Sequence, residues 1–106
     1  MDVEKLDKKS VDIFGTTYTI NIVDTLDKAD DECNYYGETE YSSKTIKIGR
    51  NVHSIKQSDT EMGLTLLHEL IHTILSTGQY NNCNNDEPLV EWLARCIYSL
   101  KKQNIL

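Results

Sequence analysis

Between Leu64 and Leu75 every residue is apolar except Thr65, His68, Glu69, His72 and Thr73. An apolar run of this length exceeds an ordinary strand and reads as a buried helix. Inside such a helix, ionisable side chains are costly unless they are paired or bound to a metal. Here they fall in the order H-E-x-x-H. His68 and His72, four positions apart, lie one above the other on a single helical face, and Glu69 is rotated from His68 by about 100°. Two imidazoles so placed reach one divalent cation, while Glu69 stands beside the ion, where it can hold a water. Zinc suits imidazole and brings the pKa of a bound water to about 7. The expected chemistry is peptide-bond hydrolysis, with one Zn²⁺ per chain held by His68 and His72 and with Glu69 as the general base.

The helix has clear ends. Ser58-Asp59-Thr60-Glu61 has the S-x-x-E form of a capping box, so the helix is expected from Asp59 to about Thr77, with Gly78 stopping it. Leu64, Leu67, Ile71 and Ile74 form one stripe and Met62, Leu66 and Leu70 another, which makes it a central, buried helix. The polar stretch from Gln79 to Asp86 reads as a loop. Asp86 then caps a second helix that takes Pro88 in its first turn, with Leu89, Leu93, Cys96, Ile97 and Leu100 as its buried face. Glu87, Glu91, Ala94 and Tyr98 align on a different stripe. A catalytic zinc needs a third protein ligand. Glu87 and Glu91, one turn apart, both qualify, and spacing alone does not choose between them.

Before the helices the chain reads as β. Tyr18, Ile20 and Ile22 alternate with polar neighbours at the period of a half-buried strand, with Val11-Asp12-Ile13 as a hairpin partner before Gly15. Tyr35 to Tyr41 and Thr45 to Ile48 read as a second pair joined by Ser42-Ser43-Lys44. The expected fold class is therefore α+β: a small, mainly antiparallel sheet packed on two helices, in one domain spanning residues 1–106.

The strand ending in Thr45-Ile46-Lys47-Ile48, the segment Leu66-Leu67-His68-Glu69-Leu70-Ile71-His72-Thr73-Ile74 and the segment Glu87-Pro88-Leu89-Val90-Glu91-Trp92-Leu93-Ala94 together resemble the small ImmA/IrrE-like zinc metallopeptidases. The likeness is to their short phage or prophage forms and covers about the last two thirds of the chain. The resemblance implies a minimal zincin-like domain, in which an active-site helix and a glutamate-bearing helix pack beside a small sheet. Laid on the family's second-helix pattern, E-x-x-A-N/D-x-F-A, Glu87 takes the metal-ligand position. Glu91 stands where the family has Asn or Asp, as a group that orients an imidazole through its other nitrogen or as the alternative ligand. The substrate implied is a protein or peptide, a repressor or other regulatory protein of a mobile element by family analogy. An edge strand within Glu38 to Ile48 would grip it by strand addition. The rival reading is a non-catalytic, zinc-stabilised regulator that acts by binding its partner.

Composition narrows the remaining classes. Seventeen acidic against eleven basic residues give a net charge of −6, with no basic face, so nucleic acid is not an expected partner. No apolar run approaches the roughly 20 residues of a membrane span, and the charged start Met-Asp-Val-Glu-Lys does not read as a signal peptide, so the expected location is cytoplasmic. Cys33, Cys83 and Cys96 lack C-x-x-C spacing and read as free thiols. The acidic stretch Asp24 to Glu32 lacks the order of a calcium loop. His53 reads as a surface histidine, and Tyr80 and Tyr98 as packing residues rather than donors to an oxyanion.

Overall fold

In a computed structural model of the chain, residues 2–26 and 36–106 are described; Cys33 and most of the acidic stretch ending at Glu32 lie outside them. A short 3-10 turn at Val3–Leu6 leads into β1 (Ser10–Ile13) and β2 (Thr16–Val23), which are followed by β3 (Gly37–Glu40) and β4 (Thr45–Gly49). Phe14 and Gly15 turn β1 into β2 with φ values of 49° and 95°, the two left-handed residues that suit the twist of a tight hairpin. Tyr18, Ile20 and Ile22 on β2 and Ile46 and Ile48 on β4 all point into one core, as their alternation in the sequence anticipates.

The four strands lie in the order β1-β2-β4-β3. The outer pairings are antiparallel, but β2 and β4 run parallel, with Ile20 opposite Ile46 and Ile22 opposite Ile48. The sheet is therefore mixed, and the fold is α+β. Of the segment expected to form a peptide-gripping edge, only β3 lies at the edge; β4 is inside the sheet. A small hairpin, β5 (Asn51–Val52) and β6 (Ile55–Lys56), follows. It was not evident from the sequence, because its turn uses His53 and Ser54 at φ values of 53° and 63° rather than glycine.

The first long helix, α1, spans Asp59–Thr77, the bounds its capping signals give. The Ser58 hydroxyl oxygen accepts from the Glu61 backbone N–H at 3.1 Å, which satisfies one of the open donors of the first turn. One side of α1 places Met62 and Leu66 on the sheet core with Val3, Tyr18, Ile46 and Ile48. The other side places Ile71 against Val90 and Ala94 of α3 (Glu87–Lys102). The helix is not buried all round, however: Ile74 is 51% exposed.

Two corrections concern the C-terminal part. The loop before α3 holds a single helical turn, α2 (Asn81–Asn84). The buried stripe of α3 is centred on Val90 and Ala94, both fully buried, whereas Leu100 is 39% exposed. A small residue at a helix contact lets the partner approach closely, so Ala94 sets the rotation of α3. Glu87 and Glu91, on the same stripe as Ala94, are thereby turned toward α1.

Candidate metal centre

His68 and His72 project from the middle of α1, with side chains 18% and 11% exposed. Glu87 is the first residue of α3, where the Asp86 carboxylate accepts from the Leu89 N–H at 3.2 Å and fixes the helix start. The three side chains converge. His68 Nε2 lies 2.9 Å from Glu87 Oε2, His72 Nε2 lies 3.1 Å from Glu87 Oε1, and the two Nε2 atoms are 3.2 Å apart.

These separations bear on what the cluster can hold. At zinc–nitrogen and zinc–oxygen distances of about 2.0–2.2 Å, ligand atoms on a tetrahedron are about 3.3–3.6 Å apart. The observed spacings, two of them to different oxygens of Glu87, lie between 2.9 and 3.2 Å, a little below that range. Among the described residues, His68, His72 and Glu87 form a group able to hold a metal ion, and its two nitrogens and one carboxylate match the donor set of an open zinc site.

The outer ring nitrogens are also engaged. His68 Nδ1 lies 2.8 Å from Glu91 Oε2, and Glu91 Oε1 in turn accepts from Arg95 Nε at 3.0 Å. Both Glu91 oxygens are thus occupied on the side of the imidazole away from the converging atoms. His72 Nδ1 lies 2.6 Å from Asn84 Oδ1, and Asn84 Nδ2 donates to the Tyr41 hydroxyl at 3.2 Å. The sequence had not singled out Asn84. It sits among Asn81, Asn82 and Asn85, and no spacing rule separates the one that meets an imidazole from its neighbours.

Glu69 faces elsewhere. It is 7% exposed, and its Oε1 accepts from the Thr39 hydroxyl of β3 at 2.7 Å. Burial raises the pKa of its carboxyl above the ordinary value; the Thr39 hydrogen bond and the His72 and His68 imidazoles oppose this, and Glu87 adds to it. The approach of β3 to α1 depends on Gly37. A Cβ there would lie 2.6 Å from Thr65 Cγ2 and 3.3 Å from Glu69 Cγ. A cleft of about 270 Å³ opens where β3, α1, α2 and the start of α3 meet, lined by Thr39, Tyr41, Glu69, His72, Asn84, Asn85 and Glu87.

The remaining candidates lie apart from this cluster or at its margin. Tyr98 donates to Thr60 at the start of α1, Tyr80 is 63% exposed, and His53 occupies the exposed β5–β6 turn. Cys83 is a half-buried free thiol beside Asn84. The tyrosine at the cleft is Tyr41. No protein-family model, curated protein or solved structure matches the chain.

Proposed function

We propose that the chain is a zinc-dependent metallopeptidase of ImmA/IrrE-like type, with His68, His72 and Glu87 as metal ligands and Glu69 as the general base. The observation that carries the reading is the division of labour among four neighbouring groups. Three offer atoms to one point, while Glu69, adjacent in sequence to His68, is held by Thr39 in the wall of the same cleft. A bound zinc supplies Lewis acidity, lowering the pKa of a water and polarising the scissile carbonyl. Glu69 takes a proton from the attacking water and returns it to the leaving amine nitrogen. Glu91 fixes the ring orientation of His68. Among the described residues β3 is an edge strand beside Glu69: Gly49 N–H donates to Tyr36 O, and by antiparallel alternation the backbone groups of Gly37 and Thr39 face outward. An extended protein segment pairing there would lie along the cleft.

The test is Glu69→Gln. The variant is expected to retain fold and zinc and to lose at least about 100-fold in proteolysis, assayed on regulatory proteins co-expressed with it. A second reading, a zinc-stabilised binding module, is favoured by the way the ligands join α1 to α3 across a small apolar contact of Ile71, Val90 and Ala94. A partner bound equally by both forms and cut by neither would establish that second reading.

A further inference from the structure

The hydrogen bonds behind His72 have a direction that follows from which ring nitrogen meets the metal. If Nε2 is a ligand, the neutral imidazole carries its proton on Nδ1, so Nδ1–H donates to Asn84 Oδ1 at 2.6 Å. The amide oxygen is then committed to His72, which leaves Nδ2 on the other side to donate to the Tyr41 hydroxyl oxygen at 3.2 Å. That oxygen accepts, so the phenolic hydrogen must point elsewhere. Among the described residues nothing accepts it, and Tyr41 lines the cleft together with Glu69 and Glu87.

We infer that Tyr41 donates its hydroxyl hydrogen to the oxygen of a carbonyl held in the cleft, and that Asn84 is the positioning residue that sets this polarity. The inference rests on the metallopeptidase reading for the identity of the carbonyl, a peptide bond gaining negative charge. Its physical basis is a chain of donors running one way, from imidazole to amide to phenol, each polarising the next. A preformed donor aimed at a developing oxyanion is the kind of group whose removal lowers turnover by about 10²–10³-fold.

The polarity can be reversed by one atom. In Asn84→Asp the carboxylate still accepts from His72 Nδ1, so zinc stays bound, but its second oxygen has no hydrogen to give. Tyr41 would then donate to that carboxylate oxygen instead of to the cleft. Acetohydroxamate, a small oxygen-ligating anion, serves as the probe, its binding to zinc-loaded protein followed by calorimetry and zinc affinity measured separately by chelator competition. Tyr41→Phe is expected to bind zinc as the native chain does and the probe about 10- to 100-fold more weakly. Asn84→Ala is expected to weaken zinc binding by about 10- to 100-fold. Asn84→Asp is expected to keep zinc and lose probe affinity, with most of that loss absent in a Tyr41→Phe background, because both changes remove the same donor.

Equal probe affinity in native and Tyr41→Phe proteins overturns the inference, as does failure of the probe to bind the native zinc form. Full additivity of Asn84→Asp and Tyr41→Phe overturns the role of Asn84. None of these readouts requires peptide cleavage, so they are independent of the Glu69→Gln test. Proteolysis without a Tyr41 effect rejects only the donor, whereas a Tyr41 effect without proteolysis rejects only the enzyme.

Discussion

Glu87 and Glu91 touch the same imidazole from opposite edges, His68 Nε2 and Nδ1 respectively. Removing their carboxylates should therefore have unequal effects. Glu87→Ala is expected to abolish stoichiometric zinc in elemental analysis, and Glu91→Ala to weaken affinity by about 10- to 100-fold. Loss of the ion in Glu91→Ala with retention in Glu87→Ala would exchange the two assignments. Gly37 is the other residue whose replacement is informative. Because its Cβ would meet Thr65 Cγ2 at 2.6 Å and the Lys47 carbonyl oxygen at 3.1 Å, Gly37→Val should destabilise the chain by about 1–3 kcal/mol in chemical denaturation. An unchanged midpoint would mean that β3 and α1 do not approach so closely. The sequence showed the ligating types at His68 and His72 because helical spacing is a local property. It could not show Asn84, Thr39 or Tyr41, whose roles come from the approach of elements distant in the chain.

At the scale of elements, the start of α3 links helix stability to the candidate metal centre. Asp86 caps the helix whose first residue is Glu87. Asp86→Ala should cost about 1 kcal/mol of stability and also weaken zinc binding, since the backbone of the proposed ligand Glu87 loses its anchor. A stability loss with unchanged zinc affinity would show that Glu87 is held by other contacts. The ends of α1 and the cap of α3 were legible because Ser58, Glu61, Gly78 and Asp86 act within a few residues of themselves. The parallel pairing of β2 with β4 was not, since alternation of apolar residues fixes a strand's faces but not its neighbour or direction. The rotation of α3 was legible in part, since Leu93 and Ile97 of the expected face pack against the contact with α1, and its centre was missed for a related reason. A stripe of large apolar residues marks burial by bulk, whereas contact with α1 selects the small Ala94 and the Val90 beside it.

For the whole molecule, the two apolar clusters differ in what supports them. The sheet and one side of α1 share a continuous core, while α1 and α3 meet over Ile71, Val90 and Ala94 and through the side chains of the proposed metal ligands. Zinc binding at a thousand times its dissociation constant would stabilise the native state by about 4 kcal/mol. Chelation should therefore lower the melting temperature and speed amide exchange first in α3, with β2 and β4 still protected. Uniform loss of protection would argue against this division. The central ladder of the sheet carries a kinetic consequence as well. Thr19 and Thr45, partners in it, cannot meet by zipping outward from a tight turn, as the residues of β1 with β2 or β3 with β4 can. The encounter of two local hairpins, with its loop-closure entropy, then limits how fast the chain reaches its native topology. On that view Ile46→Val, at the seam, should slow refolding in stopped-flow mixing more than it hastens unfolding.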